Sequence, residues 1–485
     1  MKLDPDHCYA AIQAHDSRFD GVFYVGVSTT GVYCRPVCRV RTPGRDRCHY
    51  FNHAAQAESA GFRPCLRCRP ELAPGHAPID RGPQLADQAY ARIRAGALNE
   101  GSLEELASSL ELSSRQLRRI LEQQFGVGPL ALAQTQRLLL AKQLITETRL
   151  SMAEIAFAAG FGSVRRFNAA FAEHYRLNPL SMRRAASEPP EPTADAGIRL
   201  RLAYRPPLAW STLAGFLASR GATGVEGLVD GAYLRCLRIG AQKGWVRIHQ
   251  PKGKHWLQLQ LSVELLPVLP RLLASLRHLL DLDAQPQIIA AHLSQDPLLQ
   301  PLIEATPGLR VPGCVDGFEL AVRAVIGQQV SVAAATTVFA RCVQRFGESL
   351  HTPFPELTHL PPQPEVLAAA PLEAIASLGM PGKRASTIQA LARAMVEGQL
   401  QLEAGADPAA TRAALLALPG IGPWTADYVA MRALRQPDAF PQADLGLMRA
   451  LGVSKGSQVL ERAEGWRPWR AYAALHLWNA LSAGG

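Results

Sequence analysis

The chain has 485 residues, 48% of them hydrophobic, and a formal net charge of +10 at pH 7. Its length suffices for three or four domains with cores of their own. No stretch reaches the ~18–20 apolar residues that a membrane-spanning helix needs, and the first residues lack the basic-then-apolar pattern of a secretory signal. We therefore expect a cytoplasmic protein. The arginine-rich balance suits a nucleic-acid partner without establishing one.

Cysteines near the N-terminus are arranged in two close pairs. Three residues separate Cys34 from Cys38, and two separate Cys65 from Cys68. Two such pairs are the usual donor set for a tetrahedral zinc ion. A disulfide framework is not expected in a cytoplasmic chain of this size. The sequence therefore predicts a zinc site, with free thiols as the alternative.

The cysteine-rich segment is strongly basic. Residues 34–69 contain eight arginines, against Asp46 and Glu58 as the only acidic residues. A local excess of six positive charges predicts contact with a nucleic-acid backbone. Arg35 and Arg39, next to the first cysteine pair, are among the predicted DNA contacts.

Two motifs in this segment carry a family resemblance. GVYCRPVCR at 31–39 and GFRPCLRCRP at 61–70 resemble the N-terminal domain of the Ada-type alkylation-response proteins. The resemblance implies that all four paired cysteines bind zinc and that Cys34 is also a suicide nucleophile. In that family it takes the methyl group from a methylphosphotriester in the DNA backbone. From the spacing alone, a purely structural zinc site would be the better interpretation.

Residues 84–185 have the patterns of helices. The stretch 102–126 predicts a helix, a short turn and a second helix, and 150–175 repeats this plan after a long helix at 130–145. Two such units resemble the AraC-type DNA-binding domain, in which the second helix of each unit enters the major groove. The resemblance implies a promoter site and RNA polymerase as partners. The candidates for contacts with base edges or phosphates are Arg115, Gln116, Arg119, Arg165, Arg166 and Asn168.

The sequence SEPPEPTADAG at 187–197 has the acidic, proline-rich composition of a disordered linker, which suggests loose coupling between the N-terminal methyl sensor and the part of the chain that follows the linker. The stretches that follow alternate apolar and polar residues, as antiparallel strands do. This region resembles the N-terminal α/β subdomain of AlkA-type glycosylases. We expect Trp210, Phe216 and Trp256 to belong to its core rather than to a pocket.

LPGIGPWTADYV at 418–429 predicts a tight hairpin that opens onto a helix. Gly420 and Gly422 permit backbone angles that a side chain would forbid. The N–H groups and dipole of the helix can then hold a DNA phosphate. Trp424 and Tyr428 share one face of that helix.

Together with residues 309–331 and 466–479, the hairpin resembles the helix-hairpin-helix DNA glycosylases, and within them the AlkA-type alkylbase glycosylases. The resemblance implies a base flipped out of the duplex. The aromatic residues expected to stack on a cationic alkylated base are Trp424, Tyr428 and Trp478.

Asp444 lies at the position of the catalytic carboxylate in this resemblance. It would stabilise the positive sugar, activate water, or do both. The alternative, that Asp444 only caps the following helix, is compatible with catalysis. Asp427, closer to the hairpin, is the second candidate.

Two further positions follow from the resemblance. Gln329 falls where the family has a residue that wedges into the gap left by the flipped base. Lyase-type relatives carry a Schiff-base lysine at the position of Trp424, and residues 411–444 contain no lysine. Without an amine there is no imine chemistry, so we predict a monofunctional glycosylase. The family also holds a monovalent cation with hairpin carbonyls, which we leave unassigned.

The sequence thus predicts a multidomain α+β protein. The expected parts are a small zinc-bound α/β domain (1–76), an all-α double helix-turn-helix domain (84–185), a linker (186–197), an antiparallel-sheet α/β subdomain (198–305) and an all-α helix-hairpin-helix glycosylase domain (306–485).

The predicted function is a response to alkylation damage. One monomeric chain would combine a methylphosphotriester sensor, a transcriptional activator and a DNA-3-methyladenine glycosylase acting on double-stranded DNA. One alternative is a regulator whose glycosylase half binds DNA without cutting. In another, residues 1–185 target the glycosylase to damage without a promoter.

Overall fold

The computed structural model describes residues 4–16, 19–20, 23–52, 54–70, 81–185, 197–403 and 405–483. The chain divides into two compact units, Met1–Ala91 with Gly101–Leu132, and Arg92–Glu100 with Ala133–Gly485. Of the predicted linker, only Gly197 lies within the described residues. No helix of the described part is long and apolar enough to cross a membrane.

The first unit begins with a small sheet. Its elements are α1 (Pro5–Gln13), β1 (Tyr24–Val27), β2 (Val32–Cys34), β3 (Cys48–Phe51), α2 (Ala54–Ser59) and β4 (Arg63–Pro64). The strand order is β3-β1-β2-β4, and β4 runs parallel to β2. This parallel pairing brings the two cysteine pairs together, because Cys34 ends β2 and Cys65 directly follows β4.

Helices follow as the sequence predicts: α3 (Arg81–Arg94), α4 (Ala97–Glu100), α5 (Leu103–Ser108), α6 (Ser114–Phe125), α7 (Pro129–Glu147), α8 (Met152–Ala158), α9 (Val164–Tyr175) and α10 (Pro179–Ala185). The first helix of each helix-turn-helix unit begins with a capping box, Ser102 with Glu105 in α5 and Ser151 with Glu154 in α8. Reciprocal bonds of this kind define where a helix starts.

A five-stranded antiparallel sheet opens the glycosylase-like half. Its elements are β5 (Ile198–Ala203), α11 (Trp210–Ser219), β6 (Glu226–Val229), β7 (Ala232–Ile239), β8 (Gln242–His249) and β9 (Trp256–Leu261), followed by α12 (Leu269–Leu279), α13 (Pro286–Leu293) and α14 (Gln300–Ala305). The strand order is β5-β9-β8-β7-β6.

The remainder is helical apart from a short two-stranded ribbon. It comprises α15 (Gly317–Ile326), α16 (Val332–Phe346), β10 (Glu348–Ser349), β11 (His359–Leu360), α17 (Pro364–Ala369), α18 (Leu372–Ala376), α19 (Gly382–Val396), α20 (Pro408–Ala417), α21 (Pro423–Arg432), α22 (Leu445–Leu451), α23 (Gly456–Ala463) and α24 (Arg470–Ala483). The predicted multidomain α+β class is confirmed.

Within the second unit, the second helix-turn-helix and the sheet share one hydrophobic core. Leu144, Phe167 and Phe171 belong to the same buried cluster as the strand residues Leu200 and Leu259. Burying each such side chain contributes about 1.5–3 kcal/mol. This contact involves the second helix-turn-helix and not the cysteine-rich domain, so loose coupling between the N-terminal sensor and the part after the linker stays a prediction. The composition of a connection sets its own stiffness, not the affinity of the surfaces that it joins.

Hydrogen bonds reinforce this shared core. Gln143 Nε2 donates to the carbonyl of Arg201 at 2.8 Å, and the Arg201 amide donates to Glu147 Oε2 at 2.7 Å. Both bonds join α7 to the edge strand β5, so the backbone of the sheet is tied to the helix that connects the two helix-turn-helix units.

A buried ion network joins the sheet to the helical domain. Arg235 of β7 pairs with Glu226 of β6 at 2.9 Å and with Glu319 of α15, and Arg323 also pairs with Glu226. The side chains of Arg235, Glu226 and Glu319 are 5% exposed or less. Burial opposes ionisation of Glu226, but Arg323, Arg235 and the Tyr233 hydroxyl outweigh it and lower its pKa from 4.5 to about 2.

We predict that Glu226→Gln lowers the free energy of unfolding at pH 7 by about 3–5 kcal/mol, because Arg235 and Arg323 each lose one of their two carboxylate partners in a buried network. The folded-state pKa of Glu226 lies below its ordinary value, so its stabilisation is complete above pH 4.5 and is lost as the pH falls toward 2. The variant should therefore lose less stability over that acid range. Urea unfolding followed by tryptophan fluorescence measures both effects.

Glu348→Gln is the control, because Glu348 is 45% exposed and pairs with Arg238 and Lys243 at the surface. It should change stability by less than about 1 kcal/mol. Equal effects of the two substitutions would contradict the assigned role of the buried network.

Candidate functional site

Four cysteine side chains form a cluster in the N-terminal domain. The sulfur atoms of Cys34, Cys38, Cys65 and Cys68 lie within 4.8 Å of one another, and all four residues are buried. The backbone sets this geometry: the Cys65 amide donates to the Tyr33 carbonyl at 3.0 Å across the parallel strands.

The electrostatics of the cluster fit a divalent cation. Hydrogen bonds from Cys34 and Cys68 lower the pKa of Cys38 to about 2, and the same contact with Cys38 raises the pKa of Cys34. Four thiolates at this spacing repel one another, so a divalent cation is needed to keep all of them deprotonated. A donor set of four thiolates suits zinc.

Arg35 is placed differently from the prediction. Its side chain is fully buried, its Nε donates to Asp20 at 2.7 Å, and its Nη1 donates to the Cys68 carbonyl at 3.2 Å. Arg35 therefore cannot serve as the phosphate contact predicted from its charge, because the turn after Cys34 directs it into the protein. Arg39 is exposed, and its contact with DNA stays a prediction.

The helix-turn-helix candidates all lie on exposed helix faces. On α6, Arg115, Gln116 and Arg119 are exposed while Leu117 is buried. On α9, the exposed residues are Arg165, Arg166 and Asn168. Exposure is what contacts with base edges require, and their role in DNA binding stays a prediction.

The predicted hairpin joins α20 to α21. Gly420 has φ +82°, which favours glycine, and a Cβ at this position would lie 2.1 Å from Thr387 Oγ1. The backbone angle and the close contact each require glycine here. Gly422 has an ordinary φ of −99° and open space around its Cβ position. The expectation that Gly422 needs forbidden angles is therefore wrong. Its missing side chain instead leaves the start of α21 uncovered.

Two indole groups hold the carboxylate of Asp444. Trp424 Nε1 donates to Oδ2 at 2.8 Å, and Trp478 Nε1 donates to Oδ1 at 2.9 Å. Oδ1 also accepts from the Leu447 amide at 2.9 Å, so Asp444 caps α22. The capping role and a position beside the aromatic residues thus coexist, and the catalytic role stays a prediction.

One cleft of about 1080 Å³ is lined by Asp444, Trp424, Tyr428, Trp478 and Gln329. The rings of Trp424 and Tyr428 are stacked 5.2 Å apart at 9°, and Trp478 lies 6.4 Å from Tyr428. Gln329 is exposed at the cleft with φ +56°. The structure thus brings the predicted base-pocket residues, the wedge residue and the carboxylate together.

Asp427, the second carboxylate candidate, lies elsewhere. It pairs with Arg412 Nε at 2.7 Å and is not among the residues that line the cleft. An ion pair on the outer side of α21 explains its position in the helix without any role in the cleft.

Phe216 packs against a buried hydrophobic cluster and also lines the cleft, so the expectation that it belongs to the core rather than to a pocket is only half correct. On α11 it lies to one side of the buried stripe formed by Leu213 and Leu217. Trp210 is buried in the core as expected, and Trp256 is half-buried beneath Arg201.

Arginines in the cleft were not predicted. Arg432 Nη1 donates to the Tyr428 hydroxyl at 2.6 Å, while its Nε and Nη2 donate to the carbonyls of Pro312 and Gly313. Burial opposes ionisation of Tyr428, but Arg432 and Arg220 lower its pKa. The spacing of Trp424, Tyr428 and Arg432 at every fourth residue is the sequence signal that could have revealed this contact.

Family models match four consecutive regions of the chain. In chain order they are the metal binding domain of Ada (7–71), a helix-turn-helix domain (106–185), the AlkA N-terminal domain (199–316) and the HhH-GPD superfamily base excision DNA repair protein (322–463).

The relatives include proteins that match all or part of the chain. The "Probable bifunctional transcriptional activator/DNA repair enzyme AlkA" of Mycobacterium tuberculosis H37Rv is 42% identical over 487 aligned positions, covering 99% of this chain and 97% of its own. DNA-3-methyladenine glycosylase 2 of Escherichia coli K12 is 41% identical, covering 57% of this chain and 95% of its own.

Among solved structures, MBOgg1 in complex with a low-affinity DNA ligand matches 61% of this chain and 98% of its own, with TM-score 0.50. At 19% identity this likeness shows the fold of the matched region alone. The four domain matches and the full-length relative together show that the chain belongs to the family of bifunctional transcriptional activator/DNA repair enzymes that join Ada-type and AlkA-type domains.

Proposed function

We propose that this chain excises alkylated bases of the 3-methyladenine type as a monofunctional glycosylase, accepts methyl groups from methylphosphotriesters on Cys34, and activates transcription. The observation that carries the glycosylase proposal is the Asp444 carboxylate, fixed by two indole N–H groups at an aromatic cleft. A preoriented charge beside a pocket for a flat ring is what N-glycosidic bond cleavage requires.

In this mechanism the damaged nucleotide is flipped into the cleft and Gln329 fills the gap that it leaves. A cationic alkylated base leaves with the electron pair of the N-glycosidic bond without prior protonation. Positive charge then develops on the sugar, where the Asp444 carboxylate stabilises it. Water adds to the anomeric carbon and loses a proton, which leaves an abasic site.

In the N-terminal domain, Cys34, Cys38, Cys65 and Cys68 would hold the zinc ion. When bound, zinc keeps the thiolates deprotonated at neutral pH. The Cys34 sulfur then attacks the methyl carbon, the carbon–oxygen bond breaks, and the phosphate recovers its negative charge. All four sulfurs are comparably buried, so the choice of Cys34 rests on the family resemblance.

Methylation of Cys34 would also change the affinity for DNA. Four thiolates on a divalent cation carry a net charge of −2, and a methylated sulfur no longer contributes a negative charge. Repulsion of DNA phosphates falls accordingly, while exposed arginines such as Arg39 stay available. Repair of the backbone would thereby strengthen binding at a promoter.

The remaining parts of the proposal follow from the family. The domain matches and the fold support binding to double-stranded DNA. A promoter site, contact with RNA polymerase, a monomeric state, a cytoplasmic location and a cation at the hairpin are proposed with it. The predicted domain boundaries, including the linker at 186–197, are kept as part of the proposal.

A regulator with an inactive glycosylase half is the competing function. It would be favoured by loss of the carboxylate or of the aromatic wall. Asp444, Trp424, Tyr428 and Trp478 are all present and adjacent, which supports an active enzyme.

We predict that Asp444→Asn lowers the single-turnover rate of methylpurine release from methylated duplex DNA by about 10²–10⁴-fold, because the developing positive charge loses its partner. Asn keeps one oxygen for the cap of α22 but turns an N–H₂ toward an indole N–H, so we also expect a lower melting temperature, and the rate is measured well below it. Released bases are quantified by chromatography.

Asp427→Asn is the matched control and should release bases at the rate of the unchanged chain. If Asp444→Asn were fully active, the carboxylate assignment would be lost. If the unchanged chain bound DNA but released no base, the competing regulator function would prevail.

We predict that borohydride traps no covalent complex between this chain and DNA after base release, because no lysine lies in residues 411–444. The abasic strand should stay intact until it is treated with alkali. A trapped adduct, or strand cleavage without alkali, would show lyase chemistry instead.

We predict that incubation with DNA containing methylphosphotriesters adds one methyl group to the peptide that contains Cys34. Mass spectrometry of digested protein locates the group, and unmodified DNA is the control. Transfer to Cys65 or Cys68 would show that a different cysteine is the nucleophile. If no methyl group were transferred, the zinc site would have a structural role only.

A further inference from the structure

The wedge residue Gln329 stands on a short turn between two helices. α15 ends at Gly327, whose amide donates to a carbonyl of the last helical turn at 2.9 Å. α16 begins after Ser331, whose hydroxyl caps the helix. Residues 328–330 therefore connect two helix ends that are each fixed by their own hydrogen bonds.

The backbone of Gln329 has an uncommon conformation. Its φ of +56° lies in the left-handed region, which a residue with a Cβ seldom adopts. Asn and Asp tolerate this region through their short polar side chains, and Gln does not share that property. Such a conformation persists only where the surrounding structure holds it. The contacts of the neighbouring residues therefore decide whether Gln329 keeps its place at the cleft.

The side chain of Gln328 joins this turn to the hairpin that is expected to hold a DNA phosphate. Its Nε2 donates to the Gly420 carbonyl at 3.1 Å and to the Thr425 hydroxyl at 3.0 Å. Gly420 belongs to the hairpin, and the buried Thr425 lies in the first turn of α21. The two N–H groups of one amide thus fix the turn against the helix start that would contact the phosphate.

The backbone of Gln328 is held by another helix. Arg384, in the first turn of α19, donates from Nη2 to the Gln328 carbonyl at 2.6 Å. A hydrogen bond from a charged donor is stronger than one between neutral groups. The carbonyl belongs to the peptide plane that leads into Gln329, so this bond acts directly on the residue with the left-handed conformation.

α19 also packs against the hairpin. A Cβ at Gly420 would lie 2.1 Å from the hydroxyl oxygen of Thr387, which is about one helical turn from Arg384. The hairpin, α19 and the turn that carries Gln329 therefore contact one another in pairs. A displacement of any one of the three disturbs the other two.

We propose that Gln328 and Arg384 are positioning residues for the wedge, and that they couple its insertion to the grip on the phosphate. This inference rests on the mechanism proposed above, in which Gln329 fills the gap left by the flipped nucleotide. A turn that already has its bound conformation loses little freedom on insertion, which favours the flipped state. Both residues act through Gln329 and not on the bond that breaks.

The first test is spectroscopic. It uses the full chain and a duplex that contains an abasic-site analogue with 2-aminopurine as the neighbouring base. The fluorescence of 2-aminopurine rises when its stacking is disturbed, so it reports insertion of the wedge. We expect Gln329→Ala, Gln328→Ala and Arg384→Ala, each at saturating concentration, to lose most of the increase seen with the unchanged chain. Arg384→Lys can still donate to the carbonyl and should retain more of the increase than Arg384→Ala.

Arg393→Ala is the matched control. Arg393 is exposed in the last turn of the same helix, and its replacement removes the same charge. This variant should keep the fluorescence increase of the unchanged chain. The melting temperature of each variant is measured first, so that fluorescence is recorded on folded protein.

The second test compares single-turnover release of methylpurines from methylated duplex DNA. Arg384→Ala should lower the rate by about tenfold, because the wedge loses a charge-assisted hydrogen bond. In a chain that already carries Gln329→Ala, the same substitution should lower the rate by less than about twofold, since both changes act through one residue. If Arg384 only stabilised the fold, or contacted a DNA phosphate itself, the two effects would multiply.

The proposal is overturned if Gln328→Ala and Arg384→Ala match Arg393→Ala in fluorescence, or if the rate effects multiply in the double variant. The absence of a fluorescence increase with the unchanged chain would overturn it as well, because no wedge would then enter the duplex. The abasic duplex has no base to release at the reported position. The expected fluorescence pattern without base release would therefore contradict only the glycosylase proposal, which Asp444→Asn tests.

Discussion

The glycosylase half depends on how one carboxylate is held. Asp444 accepts from the indoles of Trp424 and Trp478 and from the first turn of α22, so three helices converge on its two oxygens. Hydrogen bonds to a charged group are worth about 1.5–3 kcal/mol each. The aromatic wall is therefore also the support of the carboxylate, and neither can be altered without moving the other.

The cleft presents two kinds of surface to a base. Stacked faces of Trp424 and Tyr428 favour a positively charged ring. Arg432 Nη1 donates to the Tyr428 hydroxyl at 2.6 Å, so this hydroxyl acts as an acceptor toward the arginine and can donate its own proton to another group. In the proposed mechanism the ring faces would stack on the base, while the Tyr428 hydroxyl would donate a hydrogen bond to its edge.

Short sequence motifs predicted several parts of the structure correctly. Cysteine spacing gave the four-sulfur cluster, Gly420 gave the hairpin, and period and capping residues gave the paired helix-turn-helix units. Asp444 was assigned from the resemblance to the AlkA-type glycosylases, and its place after a proline-bounded turn agrees with that assignment. In each case a short motif marks the residues, even where their partners lie far along the chain, as Trp478 does from Asp444.

The features that the sequence did not predict depend on tertiary packing. Charge alone placed Arg35 on the surface, although a buried carboxylate 15 residues away draws it inward. Aromatic character placed Phe216 in the core, although the face of α11 that it occupies borders the cleft. No periodicity in either segment predicts that α7–α9 and the five-stranded sheet share one core, because that pairing depends on the complementarity of two distant surfaces.

The shared core has a thermodynamic consequence. A ligand that binds only the folded state raises the free energy of unfolding of everything that unfolds with its site, by about 2.7 kcal/mol at a hundredfold excess over Kd. A DNA site occupied by α9 would therefore protect the sheet from unfolding, and a core substitution in the sheet would deplete folded α9. Selection for gene regulation and selection for base excision then act on the same apolar residues.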